Sequence, residues 1–199
     1  MMNEKETRLL KMIKQPLMLV IDMQNIYLKG QKWECVNFEQ ALDKIKILID
    51  YCISDKVIFT RYIATENQHG VWNDYNIENA DVNLDEWSNE LVDDLKSLQG
   101  KYECFDKSVY SSYSIGKIRD AVAEASCVVV TGVVAECCIL STVMNLIDAG
   151  VYVIYLKDAI AGVDEDTEVA TIKVLEGLSP LHLSIMTTEE YLEMSLKKL

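Results

Sequence analysis

The run Cys127-Val128-Val129-Val130-Thr131-Gly132-Val133-Val134-Ala135-Glu136-Cys137-Cys138-Ile139-Leu140-Ser141-Thr142 decides the fold. Its first five residues are apolar on both alternating faces, the pattern of a strand buried in a parallel sheet. Gly132 marks a turn, and a helical pattern follows over 138–149. Gly150 stands where a helix C-terminal glycine belongs, directly before the next apolar run. The same grammar recurs along the chain. Leu17 to Ile21 ends at Asp22, Lys56 to Thr60 ends at Arg61, and Val151 to Leu156 ends at Lys157-Asp158. Weaker strands are predicted at Tyr102 to Asp106 and Leu181 to Met186. Helical stripes fall between them. Phe38 to Tyr51 aligns Leu42, Ile45, Leu48 and Ile49; Leu84 to Leu98 aligns Trp87, Leu91, Leu95 and Leu98. Ile115 to Ala125 and Thr167 to Leu178 follow, and Thr187-Thr188-Glu189-Glu190 opens a last helix. Strands alternating with helices imply right-handed βαβ units and an α/β sheet covered on both faces. Ligands of such sheets bind beyond the carboxyl ends of the strands, which directs attention to Asp22, Arg61, Lys107 and the residues from Gly132 onward.

Bulk properties narrow the partners. The chain of 199 residues suits one domain over 1–199. Half its residues are hydrophobic, enough for a sizeable core. The formal charge of −13 repels phosphate backbones and anionic lipid, so neither nucleic acid nor membrane is expected as a partner. The opening stretch is polar, without the apolar centre of a signal peptide. Six cysteines without a CxxC pair read most simply as reduced thiols, and a cytoplasmic location is expected.

Three residues are candidates for chemistry. Cys138 lies at a helix start after a buried strand, where the dipole and unpaired amides favour a thiolate and could hold an oxyanion. The alternative is a cysteine serving as a small buried hydrophobe. Asp22 ends the first strand at the ligand edge and suits a general base, or else caps the following turn. Lys107 stands between Phe105-Asp106 and the hydroxyl-rich Tyr110-Ser111-Ser112-Tyr113. It can stabilise a thiolate, or it is one more solvated surface lysine. Ala64 to Asn83 shows little periodicity and several aromatic residues, and is read as a lid or pocket wall, or as a surface excursion packed on a neighbouring subunit.

Taken together, these segments resemble the isochorismatase-like cysteine hydrolase superfamily. Asp22 and Gln24 match its Asp-x-Gln. Lys107 and Tyr110-Ser111-Ser112-Tyr113 match its lysine with a following Tyr-Ser-Ala-Phe-like stretch. Gly132, Val133, Cys138, Ile139 and Thr142 match Gly-Val-x-x-x-x-Cys-Val-x-x-Thr. The resemblance implies a three-layer α/β/α, Rossmann-like fold with a six-stranded parallel sheet, and an Asp22–Lys107–Cys138 triad. It also implies a cis peptide between Val133 and Val134, which would aim the amides of Val134 and Cys138 at a substrate oxygen. Cys137 is a rival thiol, but one residue turns a helical side chain by about 100°, so both cannot face one pocket.

Departures from the superfamily shape the expected function. Its nicotinamidases carry Asp-x-His and further histidines for a metal. Here Thr60-Arg61-Tyr62-Ile63-Ala64 occupies the matching stretch, and the only histidines are His69 and His182, the latter placed in the last strand. No metal, no cofactor and no nicotinamidase activity are therefore expected. The presence of Cys138 points to acyl transfer: a small amide or related C–N substrate cleaved through a thioester, with Gln24, Arg61, Trp72, Tyr75 and Tyr113 binding it. Arg61 could equally form a structural ion pair. The alternatives are an isochorismatase-type hydrolase that does not use the cysteine and a non-catalytic binding module. The superfamily further implies a homo-oligomer, dimer or tetramer.

Overall fold

The computed structural model describes residues 10, 12–51, 56–66 and 68–196; the opening polar stretch and Cys52 lie outside them. Six strands form one sheet: β1 (Pro16–Ile21), β2 (Lys56–Tyr62), β3 (Glu103–Lys107), β4 (Cys127–Val133), β5 (Val153–Ala161) and β6 (Leu183–Met186). All pair in parallel, in the order β3-β2-β1-β4-β5-β6. The two central strands, β1 and β4, are buried at every position, which is why their sequences are continuously apolar rather than alternating. β3 at the edge is correspondingly polar, with Glu103 and Asp106 exposed.

Alternate residues of each strand feed two cores. Met18, Val20, Phe59 and Val129 pack with Phe38, Leu42, Ile45 and Leu48 of helix α1 (Phe38–Asp50). Leu17, Leu19, Val128 and Val130 pack with Ile118, Val143, Leu146 and Leu175 on the opposite face. Those four come from helices α6 (Gly116–Glu124), α7 (Leu140–Asp148) and α8 (Glu165–Glu176). The result is the expected three-layer α/β/α arrangement. Among the described residues no helix is long and apolar enough to cross a membrane.

Local chemistry sets the element ends. After α7, the Gly150 amide donates to Ile147 and the Val151 amide to Leu146, a Schellman closure with Gly150 at φ 79°. Helix α9 (Thr188–Leu196) opens with reciprocal bonds, Thr187 N–H to Glu190 Oε2 at 2.7 Å and Glu190 N–H to Thr187 Oγ1 at 3.2 Å. Gly132 (φ 107°) faces Ile21 across the β4–β1 ladder; a Cβ there would lie 2.1 Å from the Ile21 carbonyl oxygen. Only glycine fits.

Several expectations are corrected. The helix read over Leu84 to Leu98 is broken into α4 (Glu86–Asn89) and α5 (Asp93–Lys96). The chain between them is drawn into the loop after β1. Asn25 donates to the Glu90 carbonyl, Gln24 bridges Leu91, and Val92 donates to the Met23 carbonyl. Tertiary pairing there overrides helical periodicity. The segment 64–83, read as irregular, contains α2 (Val71–Glu78) and α3 (Ala80–Asn83). β5 continues through Lys157-Asp158 to Ala161, past an irregularity opposite Val130 and Gly132. β6 starts at Leu183, so the exposed His182 precedes it.

Candidate active site

At the carboxyl edge of the sheet, β1 delivers Asp22, β3 delivers Lys107 as its last residue, and β4 runs into the turn carrying Cys138. Asp22 takes a left-handed backbone (φ 54°), a conformation costly for most residues but tolerated by Asp. Its amide still donates to Thr60 at 3.0 Å, so the ladder continues while the side chain turns inward. The Val133–Val134 peptide is cis. Beyond it, Ala135–Ile139 forms a single π-helical turn in which the amides of Cys137 and Ile139 both donate to the Val134 carbonyl at 3.1 Å. The Cys138 carbonyl is held by Thr142 Oγ1 at 2.7 Å, and Thr142 Oγ1 in turn accepts from the Ser112 amide at 2.9 Å.

Lys107 joins the group. Its ammonium lies 2.6 Å from Asp22 Oδ2, 3.2 Å from Cys138 Sγ and 3.1 Å from the Val109 carbonyl. The ammonium thus donates to Sγ and to the Val109 carbonyl and stands in ion-pair contact with Asp22. The side chains of Lys107 and Asp22 are wholly inaccessible. Thr60 Oγ1 donates to Asp22 Oδ1 at 2.8 Å. Burial opposes the Lys107 charge, but Asp22 and Cys138 outweigh it and raise its pKa. The helix-start argument anticipated an easily ionised Cys138. Instead, burial pushes its thiol well up and Asp22 adds to this, against the opposing pull of Lys107. Burial therefore favours the thiol form of Cys138 beside the Lys107–Asp22 pair.

The expected substrate contacts separate into two groups. Trp72 and Tyr75 of α2 form a ring wall with Tyr62, at centroid distances of 5.5–6.2 Å. Trp33 and Tyr110 join it, Tyr110 at 4.8 Å from Trp72. Trp33, Tyr62 and Tyr110 escaped sequence reasoning, since single aromatics at separate strand ends leave no shared pattern. Gln24 and Tyr113 are not part of this wall, and Arg61 takes the structural ion-pair alternative. The Gln24 amide is buried and spent on backbone: it donates to the Tyr62 and Asn89 carbonyls and accepts from the Tyr62 amide. Arg61 makes a two-pronged pair with Asp106 across β2 and β3, at 2.8 and 3.0 Å. Tyr113 packs against the core cluster that contains Ile118 and Cys138, outside the ring wall. His69 and His182 are exposed. Among the described residues, no group of three or more His, Cys, Asp and Glu is placed to hold a metal. The position two residues after Asp22 is the engaged Gln24, so these residues do not fit a metal centre.

Comparison with known proteins agrees with this architecture. Residues 16–190 match the family model described as the isochorismatase domain. Nicotinamidase 3 of Arabidopsis thaliana is 27% identical over 162 residues, covering 78% of this chain and 77% of that protein. Among solved structures, a cysteine hydrolase from Pseudomonas syringae pv. phaseolicola 1448A superposes with a TM-score of 0.80 at 18% identity, covering 93% of this chain and 94% of the other. An isochorismatase-like hydrolase from Alkaliphilus metalliredigens gives a TM-score of 0.71 at 17% identity, covering 90% and 98%.

Proposed function

Because the chain belongs to the isochorismatase domain family, a family of hydrolases, we propose that it cleaves the C–N bond of a small amide or related compound, with Cys138 as nucleophile. One observation carries this reading: the fully buried Lys107 ammonium bridges the Asp22 carboxylate and the Cys138 sulfur.

The steps follow from that arrangement. Substrate enters beneath the ring wall. Asp22 takes the thiol proton as Sγ attacks the carbonyl carbon, so a free thiolate need not accumulate beforehand. Lys107 remains charged and offsets the negative charge that passes from sulfur to oxygen. The amides of Val134 and Cys138 receive the oxyanion. Collapse breaks the C–N bond, and the amine leaves with the proton that Asp22 accepted. Water then attacks the thioester, and the carboxylic acid departs as the thiol is restored. Thr60 keeps the carboxylate aimed through its bond to Oδ1.

The test is a screen of small amides, ureas and carbamates, nicotinamide among them, for release of ammonia or amine. Turnover is expected for wild type and absent in Cys138→Ala. A substrate cleaved equally well by that variant overturns the role of the cysteine.

A further inference from the structure

The ring wall bears on what enters. Burial drives the phenol pKa of Tyr27, Tyr62, Tyr75 and Tyr110 upward. Trp72 ties three of them together, through contacts to Tyr62, Tyr75 and Tyr110. Tyr62 already presents its face to one ammonium, with Lys107 Nζ 5.7 Å from its centroid. The phenol oxygens of Tyr27, Tyr75 and Tyr110 make no hydrogen bond among the described residues, and they can accept from a ligand. Three basic side chains adjacent to the wall in space or in sequence are each matched to a carboxylate. Lys107 pairs with Asp22 at 2.6 Å, Arg61 with Asp106 at 2.8 Å and Lys32 with Asp81 at 2.8 Å. An anionic substrate would find no uncommitted partner among these three. A cation would meet ring faces, whose quadrupole attracts positive charge, in a chain of net charge −13.

Resting on the cysteine-hydrolase reading of this site, we propose that its substrate is a small amide bearing a positively charged ammonium group, seated against Trp72 and Tyr75, and that anionic amides are rejected. Cation–ring contact in a desolvated site strengthens binding by about 3- to 30-fold. The excluded class includes carboxylate-bearing amides, because burying an unpaired anion is costly.

Three probes of similar size separate the possibilities: trimethylammonioacetamide, its uncharged isostere 3,3-dimethylbutanamide, and malonamate. Binding is measured by calorimetry on Cys138→Ala, and kcat/KM is measured on wild type. The cation is expected to bind at least about five-fold tighter than the isostere, with malonamate undetected at the same concentration. In Trp72→Leu, which keeps apolar bulk, the cation and the isostere should bind alike. Equal binding of cation and isostere in the unaltered wall, tighter binding of malonamate, or binding of none of the three overturns the proposal. The two readings fail separately. If the ranking appears in binding but wild type cleaves nothing, the hydrolase reading falls and the charge preference stands. If Cys138-dependent cleavage favours malonamate, the charge preference falls alone.

Discussion

Lys107 is the buried counter-charge of Asp22 and donates to Cys138 and the Val109 carbonyl, so its removal leaves a buried carboxylate with no counter-charge. Breaking such a pair costs about 3–5 kcal/mol. Lys107→Met is therefore expected to lower the unfolding free energy measured in urea by that amount and to abolish turnover. Adding Asp22→Asn should recover stability but no activity, and a double variant no more stable than the single one would refute the pairing argument. The folded Lys107 pKa lies above its ordinary 10.5. Its stabilisation is thus complete below pH 10.5 and fades only as pH climbs through the folded value, leaving neutral pH untouched. Cys138 behaves oppositely in practice, because burial makes its thiol hard to ionise. Its alkylation by iodoacetamide should be slow near neutrality and still be rising beyond pH 9.0, the ordinary thiol value. Cys138→Ser should fold and lose turnover, whereas Cys137→Ser should keep most of it. A labelling rate that levels off near pH 7 would show that Lys107 wins over burial. The meeting of Asp22, Lys107 and Cys138 was legible through the motif resemblance, whereas position near a strand end alone left each with a structural alternative. The engagements of Gln24 and Arg61 were not legible, since both depend on partners far along the chain, Asn89 and Tyr62 for one and Asp106 for the other.

At the scale of elements, the reading succeeded where burial alone decides. β1 and β4 are apolar at nearly every position because both faces are covered, and no other strand type writes that pattern. It failed where tertiary hydrogen bonds compete with local periodicity, as in the split of α4 from α5 around Leu91. There Leu91 reaches the core from the bridging stretch between the two helices, Leu95 reaches it from α5, and Trp87 stays half exposed. The β4–β1 contact supplies a sharp test. Gly132 sits so close to Ile21 that even a methyl group would meet backbone oxygen, nitrogen and carbon at 2.1, 2.6 and 2.8 Å. Backbone in a central strand cannot yield without disturbing its own ladder. Gly132→Ala should cost more than about 4 kcal/mol and fail to accumulate as folded protein. Gly150→Ala has open space and only an unfavourable φ of 79°; it should cost about 1 kcal/mol. Similar urea midpoints for the two variants would mean that the strands separate more readily than their register implies.

For the whole molecule, the decisive contrast is between its charge and its outer apolar residues. Val71, Ile77 and Leu84 are 79%, 69% and 84% exposed; the first two lie in the segment whose Trp72 and Tyr75 wall the site, and Leu84 directly follows it. Large apolar side chains gathered on one excursion mark an interaction surface more often than they serve solvent. α2 has no buried residue of its own, so ring contacts are what it offers inward. We expect a second copy of this chain to cover the outer side, giving a homo-oligomer in which association also steadies the wall over Cys138. Net charge opposes this, because two chains at −13 repel at low ionic strength. Salt shortens the screening length from about 30 Å at 0.01 M to about 8 Å at 0.15 M. Self-association should therefore tighten as salt is added, the reverse of an interface held by ion pairs. Light scattering at micromolar concentration should give a multiple of 22.6 kDa at 0.15 M salt. Ile77→Glu with Leu84→Glu should return the single-chain mass and raise KM more than it lowers kcat. A 22.6 kDa species for the unaltered protein at every salt concentration would leave the apolar face without the partner argued for it.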